Sequence, residues 1–154
     1  KSMGLKPSHI DSHEGALFFD PNIFQIYVDL AVENDLLAFV PIEASMHFNR
    51  ELEKPNNAVI VDQFHMLHEG TNVEEIENFY YDVVENLKPG LSQIIIHLGK
   101  DEPILKEITV DHPNFDYRWR QKDYDIMNSK EFKDLLEKND IKLISWLDLK
   151  KAIL

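Results

Sequence analysis

Residues 7–15 read Pro7-Ser8-His9-Ile10-Asp11-Ser12-His13-Glu14-Gly15, placing two imidazoles and a carboxylate within five positions just before a glycine. On an extended strand alternate side chains share a face, so His9, Asp11 and His13 point one way and Ile10 and Ser12 the other. A polar row of this kind is costly to bury unless a metal, a substrate or mutual hydrogen bonds satisfy it. With a rise of roughly 3.3 Å per residue, His9 and His13 stand roughly 13 Å apart on such a strand. A single ion with ligand distances of about 2 Å cannot take both. At most one of them is a ligand, and Asp11 is close enough to orient His13 or to touch the same ion. A Ser-His-Asp hydrolase is disfavoured, because Ser12 faces away from Asp11 and His13.

Other residues able to do chemistry lie at the ends of predicted strands. Short apolar, β-branched runs cover residues 8–13, 36–42, 58–61, 93–97 and 141–146. Amphipathic patterns alternate with them over residues 22–33, 73–87, 119–127, 129–139 and 147–153. Asp20 before Pro21 is a helix-start signal, and Lys88-Pro89-Gly90 is a stop. Strand–helix alternation predicts an α/β fold with a parallel β/α sheet of about five strands. In such sheets ligands gather at the C-terminal strand ends, which are here His13, Glu43, Asp62, His97 and Trp146. His47, His65, His68 and His112 fall in loop or helix-start contexts and read as solvated. The aromatic runs Phe18-Phe19 and Phe79-Tyr80-Tyr81 read as core or sugar-facing aromatics, with core favoured.

Composition bounds the rest. The chain has 154 residues, 44% of them hydrophobic, a size that predicts one domain. A net charge of −12 argues against nucleic acid and anionic membrane surfaces as partners. No cysteine is present, so disulfides and thiolate chemistry are excluded. No apolar run approaches the roughly 20 residues that span a bilayer. A cytoplasmic location is the expectation.

The opening motif resembles the third motif of the YdjC-like (ChbG-type) carbohydrate deacetylases, Pro-Thr-His-(Ile/Leu)-Asp-Ser-His, with Ser8 in the place of Thr. The resemblance continues in order through Ile94-Ile95-Ile96-His97, through Arg120-Gln121-Lys122-Asp123-Tyr124-Asp125 before a helix, and through Ile141-Lys142-Leu143-Ile144-Ser145-Trp146. It implies a TIM-barrel-like fold and removal of N-acetyl groups from amino sugars or oligosaccharides with a divalent metal (Mg, Zn or Mn). By resemblance, His13 is the metal ligand, His97 the general acid, and Asp11 a second catalytic residue. His9, Arg120 and Asp123 fall to substrate binding, Arg120 with Asp123 as a clamp or as a surface ion pair. The family's N-terminal Asp-Asp and Gly-x-His motifs do not occur, and Leu98 stands where Pro usually follows the late His.

Residues 1–154 are therefore expected to be the C-terminal part of a larger deacetylase barrel, inactive in isolation. A homo-oligomer, or association with a missing N-terminal segment, is expected to cover the open sheet edge, and a small carbohydrate is the expected substrate. The competing reading is a non-catalytic sugar-binding or structural remnant of the same fold.

Overall fold

The computed structural model describes residues 4–47, 57–112 and 114–154. The chain divides into two compact units, one formed by Lys1–Gln63 with Leu143–Leu154 and the other by Phe64–Lys142.

The first unit is built on a three-stranded parallel sheet in the order β1 (His9–Ile10), β2 (Leu37–Pro41), β3 (Ala58–Val61). His9 pairs with Leu37, and Pro41 with Val61. The central strand is buried from Leu37 to Val40, the pattern of a strand covered on both faces. Helix α1 (Pro21–Glu33) starts at Asp20, whose carboxylate accepts from the Asn22 and Ile23 N–H groups with Pro21 in the first turn. Its buried residues Phe24, Tyr27, Val28 and Ala31 recur at helical spacing and pack with Leu36, Ala38 and Val40. The helix closes on Asp35 in the left-handed region (φ 53°), with the Leu36 N–H bonded to the Ala31 carbonyl. That closure aims the chain directly into β2. Helix α2 (Ile42–His47) follows β2 without a loop.

The second unit pairs β4 (Gln63–His65) with β5 (Ser92–Ile94) and packs α3 (Ile76–Asn86), α5 (Tyr117–Asn128) and α6 (Lys130–Lys138) around a core of Ile76, Tyr80, Val84, Trp119, Ile126 and Phe132. A 3-10 turn, Val73–Glu75, leads into α3, and α4 (Pro103–Ile108) lies between β5 and α5. Asp116 caps α5, accepting from the Arg118 and Trp119 N–H groups, and Ser129 caps α6. The C-terminal helix α7 (Trp146–Ile153) belongs to the first unit.

Two expectations are corrected. The single sheet of about five strands is instead a set of three and a set of two, and the described residues close no barrel. Residues 141–146 form no strand: Asp140 takes φ 54°, and the Ile141 N–H bonds back to the Leu136 carbonyl, so Ile141 is spent ending α6. A Ser145–Asp148 capping box then starts α7 at once. β4, α2 and α4 were not expected from the sequence. Three to six residues are too few for a periodic signal. No helix among the described residues is long and apolar enough to cross a membrane.

Candidate functional site

In the first unit the three parallel strands bring their C-terminal ends to one edge. Asp11 and His13 follow β1 there, Glu43 lies in the first turn of α2 after β2, and Asp62 follows β3. All four residues are exposed. This is the edge at which open parallel sheets bind ligands.

The predicted strand over residues 8–13 is a strand only at His9–Ile10, because Glu14 (φ 53°) and Gly15 (φ 68°) turn the chain into a 3-10 segment, His13–Phe18. The side chains still alternate. Ser12 is buried, and its hydroxyl accepts from the Leu17 N–H at 2.9 Å. Asp11 and His13, on either side of it, face solvent.

Tyr27 on α1 ties this edge together. Its hydroxyl lies 2.9 Å from the carbonyl oxygens of both Ile10 and Phe39, sharing one proton between β1 and β2. Burial pushes the Tyr27 pKa well up, and the Asp11 charge pushes it further, so the hydroxyl stays a donor. His9 is half-buried. Its ring stacks on Trp146 with centroids 4.4 Å apart and planes 10° from parallel, and Nδ1 lies 3.1 Å from the Ser8 hydroxyl. Burial lowers its pKa below the ordinary imidazole value, and Asp11 partly offsets the effect. Tyr27 received no site role from the sequence, and Trp146 appeared there only among the strand ends. The Tyr27 hydroxyl was hidden inside a normal core position, and Trp146 was read as the end of a strand.

The second unit holds His97, Arg120 and Asp123. Asp123 has no exposed surface: Oδ1 accepts from the Tyr80 hydroxyl and Oδ2 from the His97 backbone N–H, both at 2.8 Å. The sequence grouped Asp123 with Arg120 at a substrate or on the surface; the fold instead directs it inward, where it anchors the loop after β5. Burial raises its pKa, opposed by the His97 N–H, the Tyr80 hydroxyl and the nearby His97 and Arg120 side chains. Arg120 donates from Nε to the Phe115 carbonyl at 2.9 Å. The His97 ring is partly buried, 4.6 Å from the Phe115 ring, which itself packs on Trp119. A Cβ on Gly99 would lie 2.8 Å from Leu105 Cδ2 and 3.1 Å from Arg120 Cβ, so α4 and α5 grip the His97 loop at a residue without a side chain.

His65 corrects another expectation: it lies on β4, and its Nε2 is buried with no partner among the described residues. His47, His68 and His112 are exposed as expected. A cavity of about 320 Å³ in the second unit, bordered by Asn72, Glu74, Arg118 and Trp119, contains none of the residues that the sequence proposed for a site.

Residues 1–138 match the sequence profile of a family described as YdjC-like protein. The chain belongs to the YdjC-like family. A crystal structure of a proposed cellobiose-phosphate cleavage protein from Enterococcus faecalis superposes with a TM-score of 0.69 at 18% identity, covering 96% of this chain and 55% of that one. At that identity the likeness bears on the fold, and this YdjC-like chain spans about 55% of its neighbour's length. No curated protein matches the chain. Among the described residues no group of three or more His, Asp or Glu side chains could hold a metal ion. The described donors therefore do not by themselves complete a site for the divalent ion that the resemblance implies, and His13 with Asp11 would supply only part of one.

Proposed function

We propose that this YdjC-like chain is part of a carbohydrate-directed amide hydrolase that removes acetyl groups from N-acetylated amino sugars or their oligosaccharides. The family match over residues 1–138 carries this reading. The exposed polar residues at the C-terminal edge of the parallel sheet support it, and so does the sugar named in the structural neighbour's description. In such a hydrolysis water adds to the acetyl carbonyl, the C–N bond breaks, and the leaving sugar nitrogen takes a proton. The reading gives that proton to His97, whose loop Asp123 positions from behind, and keeps His9 and Arg120 each as a sugar contact of its own unit. His13, an exposed imidazole at the sheet edge, is the residue proposed to bind a divalent ion (Mg, Zn or Mn), and Asp11 is proposed to assist it. A cytoplasmic setting completes the proposal.

The lack of a three-donor group among the described residues favours a second reading, a non-catalytic sugar-binding member of the same fold. One experiment separates the two. The full-length protein that contains this chain is incubated with N-acetylglucosamine oligosaccharides and each of the three ions, and both free acetate and sugar binding are measured. Acetate release that falls by a factor of about 10² to 10⁴ in His97→Ala supports the hydrolase and its proton donor. Sugar binding without acetate under every ion supports the second reading.

A further inference from the structure

Trp146 is a partly buried aromatic residue of the first unit that meets two other rings. It is the first residue of α7, where the Ser145 hydroxyl accepts from the Asp148 N–H and the Asp148 carboxylate accepts in return from the Ser145 N–H. Further along the helix, Lys150 pairs with the Asp35 carboxylate at 2.8 Å, tying α7 to the turn that ends α1. The indole meets the buried Phe39 ring of β2 edge-on, with centroids 6.2 Å apart and planes at 88°. Its other contact is the face-to-face stack on His9.

A histidine ring on a strand end turns about its outer side-chain torsion over a broad range unless packing stops it. Here an indole face and the Ser8 hydroxyl on Nδ1 stop it together. Nε2 is then the ring nitrogen without a partner among the described residues, available to a ligand. We propose that Trp146 is a positioning residue that stacks on His9 and fixes the orientation in which its Nε2 meets the carbohydrate. The inference rests on the proposed role of His9 in holding sugar and adds the residue that sets its geometry.

The test uses the full chain with its histidine ring protons observed by NMR, beside titration with an N-acetylglucosamine oligosaccharide. In the native protein the indole ring current moves the carbon-bound His9 ring protons upfield. Trp146→Ala returns them to ordinary values and weakens sugar binding about two- to tenfold, the span a stacked aromatic pair contributes. Trp146→Phe retains a ring face and restores most of both signals, which separates positioning from a general loss of fold. Unmoved His9 resonances in Trp146→Ala would overturn the stack itself. Moved resonances with unchanged sugar affinity would overturn the role while leaving the hydrolase reading, which acetate release measures separately. A native chain that binds no sugar would overturn both.

Discussion

Asp123 shows how a single residue can look like a substrate contact in a sequence and act as an anchor in a fold. Its two oxygens each hold one donor, Tyr80 from α3 and the backbone of His97 after β5. Because burial raises its pKa from the ordinary 3.8, the folded state holds this proton more tightly than the unfolded chain does. Stability linked to this group is therefore fully present below about 3.8, and is lost as the pH rises through the raised folded-state value. Asp123→Asn should remove that loss: its carbonyl still accepts from His97 N–H and its amide donates to the Tyr80 oxygen. In urea unfolding at pH 3.5 and pH 7, the variant should show a smaller drop between the two than the native protein. Asp123→Ala should instead cost about 1–3 kcal/mol for each buried donor left unpaired. A variant with Ala as stable as the native chain at pH 7 would remove the anchoring role.

At the scale of elements, the turn and cap chemistry was the most readable part of the sequence. Asp20-Pro21 announced α1, and the helical periods after residues 73, 119 and 129 all formed helices. Residues 58–61 formed the strand expected of them. What misled was apolar content without a partner: residues 141–146 have a strand's composition, yet a strand exists only when another strand pairs with it. The same limit applied to the site. The exposed pair Asp11 and His13 could be read from strand alternation, whereas the His9–Trp146 stack joins residues far apart in sequence and leaves no local trace. The capping box that brings Trp146 there gives a measurable expectation. Ser145→Ala should lose about 1 kcal/mol of helix-start stabilisation and fray the first turn of α7. Hydrogen exchange should then quicken at the Asp148 and Leu149 amides, which bond to Ser145, while the amides of α3 keep their protection. Equal quickening in both places would mean global destabilisation and would break the link between this cap and the stack.

At the scale of the whole molecule, two features of the surface oppose each other. The outer face of α1 exposes Ile23, Ile26 and Leu30, with Phe19 just before it 83% exposed, an apolar stripe of the kind that monomers seldom leave open. The expected self-association would cover it, but two copies carrying −12 each repel at low salt. Light scattering should therefore show mass rising between low salt and about 0.2 M NaCl, where the Debye length falls below about 10 Å. Ile26→Lys should prevent the rise, and a constant monomer mass in the native chain would remove this proposal.

The same charge bears on substrate choice. Asp11, Glu43 and Asp62 stand exposed at the proposed binding edge, carboxylates of the same sign as the net charge. A phosphorylated sugar, such as the structural neighbour's description names, would bring roughly two further negative charges to that edge at neutral pH. A neutral N-acetylated oligosaccharide pays no such repulsion. In ion-free buffer the chain should bind the neutral sugar more tightly than its phosphorylated counterpart, and added salt should narrow the gap by improving only the phosphorylated one. A phosphorylated sugar that binds more tightly at low salt, and weakens as salt rises, would show that cations rather than these carboxylates meet the ligand. The proposed edge would then be the wrong surface for the sugar.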